Sequence, residues 1–164
     1  MSSAENKLGR KGKVYVSTVI DAPIEAVWAT AGRFADLSWG GVNSKYLEEG
    51  YAKEDNVVGK HRLIDLGGKH IHEILTSLSD AEHFYTYHIT KSDEGVFPGA
   101  LANYHARISF KRVTDKNATF AEWSAEFDGE EATAAAVEQA IGQGVFTGAF
   151  NSLRKALADK TSGA

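Results

Sequence analysis

Two adjacent glycines, Gly67 and Gly68, stand between two runs of alternating apolar and polar residues, 58–66 and 70–78. A two-residue loop between antiparallel strands needs positive φ at its centre, which glycine adopts without strain. The dipeptide therefore predicts a tight hairpin, and a tight hairpin fixes register: Leu66 opposes Lys69, Ile64 opposes Ile71, and Arg62 opposes Glu73. Side chains alternate along a strand, so Arg62, Ile64, Leu66, Ile71, Glu73 and Leu75 share one face, and His61, Asp65, His70 and His72 the other. The first set is the more apolar and is expected to look inward, where it sets an arginine directly opposite a glutamate.

The rest of the chain can be read against that hairpin. Residues 14–20 are β-branched and aromatic and predict a strand, which Asp21-Ala22-Pro23 breaks. Residues 24–31 have helical character with Ile24, Val27 and Trp28 on one side, and 33–38 read as a second short helix ending at Trp39-Gly40-Gly41. Six strands follow at 42–49, 58–66, 70–78, 83–90, 100–113 and 118–127, each bounded by turn residues. Residues 132–158 are alanine-rich with apolar positions at helical spacing, and Glu130-Glu131 stand near the end where acidic side chains are favoured. Strands joined by short turns are antiparallel neighbours, and a seven-stranded sheet must cover its apolar face. The last helix is the one element long enough, so the expected fold is α+β: a seven-stranded curved antiparallel sheet around a long C-terminal helix, with two short helices after the first strand.

Composition narrows the function. The 164 residues suit one domain, expected at 13–160 between polar tails at 1–12 and 161–164. The basic residues of the first tail, Lys7, Arg10 and Lys11, are read as solvated. Cysteine is absent, which excludes disulfides, thiolate nucleophiles and sulfur-ligated metals. A net charge of -4 gives no electrostatic reason to expect nucleic acid or an anionic membrane as partner. No apolar run approaches the ~20 residues of a membrane span, and the first residues lack the apolar core of a secretory signal, so the expected location is cytoplasmic. No glycine-rich phosphate loop and no serine in a nucleophile-elbow context occurs.

Parity extends the inner face. Glu122 and Glu126 alternate with Ala121, Trp123, Ala125 and Phe127, so the tryptophan faces in; Arg107 and Lys111 face out and leave Tyr104, Ala106, Ile108 and Phe110 inside. A three-residue loop at 80–82 brings Tyr85, Tyr87 and Ile89 beside Leu75 and Glu73. Too many polar tips then point inward for an oily core. Three glycines, Gly142, Gly144 and Gly148, lie inside the last helix, where each costs about 1 kcal/mol relative to alanine. They either permit close packing or a kink, or clear a strip of helix for a ligand.

Residues 19–28 (Val-Ile-Asp-Ala-Pro-Ile-Glu-Ala-Val-Trp), 58–62 (Val-Gly-Lys-His-Arg), Glu73-Ile74-Leu75 with Asp80 beyond, Tyr87, and Trp123 ahead of Phe127-Asp128 together resemble the Bet v 1-like, START-related helix-grip superfamily. The resemblance runs over roughly 13–158 and is nearest to the polyketide cyclase/dehydrase-like branch, which includes lachrymatory-factor synthase and plant abscisic-acid receptors. It implies a helix-grip fold with an internal ligand cavity, and it implies that Arg62, Glu73 and Tyr104 match residues that act in the synthase and only bind in the receptors. The receptors' pocket lysine falls near Val42 here, and the stretch Gly95-Val96-Phe97-Pro98-Gly99 is a gate of different composition, so hormone sensing is not implied.

The expected chemistry follows from these residue types. Arg62 stays charged and donates in a fork, suited to a carboxylate or a developing enolate. Glu73 is suited to moving a proton; Arg62 is expected to lower its pKa and make it a better base than acid. Tyr104 is placed to donate to the same oxygen. Ile64, Leu66, Leu75, Tyr85, Tyr87, Trp123, Phe127, Gly144 and Gly148 are the candidate ligand-binding residues. His61, His70, His72, His88 and His105 fall on the outer face, and neither a metal nor another cofactor is expected. The expected function is binding of a small, partly apolar carbonyl or carboxylate compound with a metal-free proton transfer of the cyclase, dehydratase, isomerase or lyase kind. The alternative is a non-catalytic binding or transport protein, in either case a monomer or homodimer. The bland reading of Arg62 with Glu73 is a cross-strand ion pair that fixes the sheet.

Overall fold

Seven strands form one curved antiparallel sheet: β1 (Arg10–Ile20), β2 (Asn43–Tyr46), β3 (His61–Leu66), β4 (Lys69–Ser79), β5 (Phe84–Ser92), β6 (Leu101–Val113) and β7 (Ala118–Gly129), in the order β1-β7-β6-β5-β4-β3-β2. This is a computed structural model, and it describes residues 8–162. The parts of the expected tails at 1–7 and 163–164 lie outside the described residues. A helix, α1 (Ile24–Ala31), follows β1, and the chain ends in α2 (Ala134–Gln139), a π-helical stretch (Ala140–Thr147) and α3 (Gly148–Ser162). The α+β helix-grip architecture is the expected one. Among the described residues no helix is long and apolar enough to cross a membrane.

The β3–β4 hairpin has the register that its glycines dictate. Gly67 and Gly68 take φ of 66° and 98°, and Leu66 pairs with Lys69, Ile64 with Ile71, and Arg62 with Glu73. The next connection differs in mechanism and agrees in result. The β4–β5 loop is 80–83, one residue longer than expected, with His83 at φ 60° and Ser79 paired to Phe84. A bulge that leaves Thr76 unpaired absorbs the extra residue, so Leu75 faces Tyr87 and Glu73 faces Ile89.

Three expectations need correction. The helix expected at 33–38 is a turn followed by a single 3₁₀ turn at Ser38–Gly40. The backbone groups a helix would pair are taken by distant side chains. Asn56 accepts from the Phe34 N–H (3.0 Å) and donates to the Gly32 carbonyl (2.9 Å). Ser44 accepts from the Leu37 N–H (3.0 Å) and donates to the Ala35 carbonyl (2.8 Å), and Arg62 donates to the Phe34 carbonyl (2.7 Å). Secondly, β1 begins at Arg10, inside the stretch assigned to the leading tail, and α3 runs to Ser162, into the trailing one. Gly12 pairs with Phe127, whose ring lies where a Cβ on residue 12 would be, about 2.1 Å from Cζ. Thirdly, the C-terminal helix expected at 132–158 opens at Ala134, after a turn in which the Glu130 carbonyl accepts from the N–H groups of Thr133 and Ala134, and runs on to Ser162.

The core lies between the concave face and the C-terminal helix. Trp123 of β7 stacks on Phe146 of the π-helical stretch with ring centroids 4.1 Å apart and planes 7° apart, and Phe150 of α3 packs on the same indole at 5.6 Å. Gly142 serves close packing: a Cβ there would come within 3.3 Å of Val14 on β1. Gly144 and Gly148 do not, since a Cβ at either position meets nothing within 4 Å.

Candidate functional site

That open strip borders a cavity of about 410 Å³ between the helix and the sheet. Arg62, Glu73 and Tyr104 all line it, as do Ile64, Leu66, Tyr87, Trp123, Gly144 and Gly148. Leu75, Tyr85 and Phe127, grouped with them on the sequence, are buried in the core and do not line it. Leu66 lies at the mouth, 44% exposed, with Val145 at 48%. The sequence reading missed the cavity-lining positions of Trp39, Phe97 and Phe146. For the first two the available signal was a large aromatic set among glycines, in Trp39-Gly40-Gly41 and in the 95–99 loop. Such rings have no local reason to be there unless they turn inward.

Arg62 and Glu73 sit at the cavity wall, only 1% and 4% exposed. Glu73 Oε1 accepts from Arg62 Nε at 2.9 Å and lies 2.9 Å from Nη2. Arg62 Nη1 donates to the Phe34 carbonyl (2.7 Å) and reaches the Tyr85 hydroxyl at 3.4 Å. The guanidinium also lies over the rings of Phe34 (4.2 Å) and Tyr87 (4.7 Å). One arginine thus joins the hairpin to the turn after α1. Among the described residues the second carboxylate oxygen, Oε2, takes no hydrogen bond.

Electrostatics corrects the sequence reading of Glu73. Burial pushes its carboxyl above the ordinary value, and the charge and hydrogen bond of Arg62 oppose this without cancelling it. Arg62, in spite of its own burial, is held protonated by Glu73 and the neighbouring phenols. A raised carboxyl is a stronger base once ionised and an available acid when it is not.

The phenols cluster beside the pair. Trp123 Nε1 donates to the Tyr87 hydroxyl (3.0 Å), and the Tyr87 and Tyr104 rings pack together with centroids 6.3 Å apart. Burial, first, and the charge of Glu73 push the Tyr104 hydroxyl far up, so it keeps its proton. Trp39 Nε1, at the same wall, has no partner among the described residues.

Of the outer-face histidines, His61, His70 and His105 lie against carboxylates. His61 Nδ1 lies 2.7 Å from Glu48 and His70 Nδ1 lies 3.4 Å from Asp93, while His88 and His105 face each other at 5.8 Å. Among the described residues no group of three or more His, Asp or Glu side chains is arranged to hold a metal ion.

Comparison with known proteins gives a consistent result. The family model described as polyketide cyclase / dehydrase and lipid transport matches residues 11–158. Similar solved structures include a protein from Nitrosospira multiformis, 29% identical with a TM-score of 0.73, covering 92% of this chain and 99% of that one. The protein XoxI from Bacillus cereus is 27% identical with a TM-score of 0.74, covering 92% and 98%. An uncharacterized protein from Bacillus thuringiensis is 27% identical with a TM-score of 0.73, covering 89% and 98%. No curated protein matches the sequence.

Proposed function

The chain belongs to the polyketide cyclase / dehydrase and lipid transport family, and from that premise we propose that it binds a small, partly apolar carbonyl compound in the cavity and moves a proton on it. The observation that carries this reading is the asymmetry of Glu73: Oε1 is fixed by Arg62, while Oε2 has no hydrogen-bond partner among the described residues, on a wall that faces about 410 Å³ of space. Structural ion pairs do not need a cavity, and a buried pair is a poor stability device. Here the pair holds one oxygen of a strengthened base toward the ligand.

In the proposed step Oε2 takes a proton from the carbon next to the carbonyl. The C–H electron pair forms the C=C bond of an enolate, and the carbonyl electrons move to oxygen. Tyr104, whose proton is not removable at working pH, donates to that oxygen. Arg62 acts on Glu73, keeping it ionised and oriented, rather than as the main anion anchor expected from the sequence. The proton returns to carbon or serves loss of a leaving group, which covers isomerase and dehydratase outcomes.

A second reading is favoured by the completeness of the polar packing around Arg62: the same groups would orient a ligand that is only carried. Deuterium exchange separates the two. The small enolisable ketone 2-tetralone is incubated with protein in D2O and its exchange is followed by NMR. The wild type is expected to accelerate exchange over buffer at least a hundredfold and Glu73→Gln to lose that acceleration while still binding the ketone. Binding without acceleration in the wild type would leave the carrier reading.

A further inference from the structure

The charges of the cavity wall sum to zero. Among the described residues that line it, Arg62 is the one cation and Glu73 the one anion, and they are 2.9 Å apart. Among the described residues no lysine lines the wall, and Val42 occupies it where the sequence resemblance would set a cationic side chain. A carboxylate that entered would bring an uncompensated charge into an apolar space and would stand beside the Glu73 carboxylate. Two of the polar tips left at the wall are of opposite kind: Glu73 Oε2 accepts and the Tyr104 hydroxyl donates, while Trp39 Nε1, also without a partner among the described residues, is a further donor.

We infer that the cavity selects an uncharged ligand carrying a hydroxyl donor for Glu73 Oε2, and that it discriminates against a carboxylate of the same size and shape. This rests on the cavity's being a ligand site, as proposed above. It narrows the carbonyl-or-carboxylate class read from the sequence to neutral hydroxy compounds, with a hydroxy-carbonyl compound meeting both tips at once. A hydroxyl on an ionised acceptor makes a charge-assisted hydrogen bond, among the stronger neutral-ligand contacts available to a protein.

The test uses two flat probes of matched shape, 1-naphthol and 1-naphthoate, titrated calorimetrically into the full chain at pH 7.5. The wild type is expected to bind 1-naphthol at least tenfold more tightly. Glu73→Gln removes the negative charge and leaves Arg62 uncompensated, so the ratio is expected to fall by tenfold or more, with naphthoate gaining. A merely structural role for Glu73 would weaken both probes alike and would overturn the inference. A second measurement needs no variant: whatever naphthoate the wild type does bind is expected to enter with uptake of a proton onto Glu73, seen as a dependence of the heat on buffer ionisation enthalpy. Naphthoate binding as tightly as naphthol, without proton uptake, would overturn the selectivity and leave the ligand site standing. Failure of both probes to bind at millimolar concentration would overturn the ligand site and this inference with it.

Discussion

Arg62 and Glu73 meet across a single hairpin with the guanidinium Nε 2.9 Å from carboxylate Oε1, and both are almost wholly removed from solvent. Such a pair costs more to break than to replace. Arg62→Met is expected to destabilise the protein by about 3–5 kcal/mol at pH 7, because it leaves a buried carboxylate and the Phe34 carbonyl without partners. Arg62→Met combined with Glu73→Leu is expected to recover most of that loss. Urea unfolding of the two single variants and the double variant measures the coupling. A double variant no more stable than Arg62→Met would show that the pair is not an electrostatic unit.

The titration of Glu73 gives a pH dependence with a definite sign. Its folded-state pKa lies above the ordinary 4.5, with burial as the main cause. The unfolded chain therefore binds fewer protons at this position than the folded one across the window between the two values. The stability that Glu73 contributes is complete below about pH 4.5 and is lost as pH rises through the folded pKa. Wild type minus Glu73→Gln, measured by denaturant unfolding from pH 4 to pH 8, is expected to be most favourable to the wild type at the acid end. A difference that grows in the wild type's favour toward pH 8 would mean that Arg62 outweighs burial.

What the sequence made legible, and what it did not, divides along one physical line. The register that sets Arg62 against Glu73 is local information, carried by two glycines whose φ angles have few alternatives. The inward parity of Tyr87, Tyr104 and Trp123 is likewise local, since alternation survives a loop one residue longer when a bulge at Thr76 restores it. The segment 33–38 was not legible, because its backbone is held by Asn56, Ser44 and Arg62, all distant in sequence. Nor was the direction of the Glu73 shift, which is a difference between two opposing effects whose sizes depend on burial. The identity of the lining also escaped the sequence in part: Leu75, Tyr85 and Phe127 have the right parity but sit beyond the reach of the cavity.

The two helix glycines at the cavity are expected to behave unlike the third. A Cβ at Gly148 meets nothing within 4 Å, so Gly148→Ala is expected to stabilise the fold by about 0.5–1 kcal/mol through helix propensity alone. At Gly142 a Cβ would come within 3.3 Å of Val14, and the propensity gain is expected to be offset by that crowding. Thermal unfolding of the two variants should separate them by a few degrees, with Gly148→Ala the higher. Gly148→Leu carries the argument to function, since it puts a branched side chain into the cavity and is expected to abolish binding of 1-naphthol while the fold persists. Undiminished naphthol binding by that variant would place the ligand elsewhere.

Gly12 is the least conspicuous position that the structure makes indispensable. It lies in β1 opposite Phe127, and a Cβ built there would be 2.1, 2.4 and 2.5 Å from three atoms of the ring. The ring has little room to yield, being 2% exposed and stacked near Tyr104 at 6.5 Å, with Gly129 close behind it. Gly12→Ala is therefore expected to destabilise the protein by about 1–3 kcal/mol, by overpacking and not by loss of backbone freedom. Phe127→Leu in the same chain should relieve the clash, so the double variant is expected to be more stable than the sum of the single effects. Denaturant midpoints of the four proteins decide it: strict additivity would mean that the β1 backbone simply moves away from the ring.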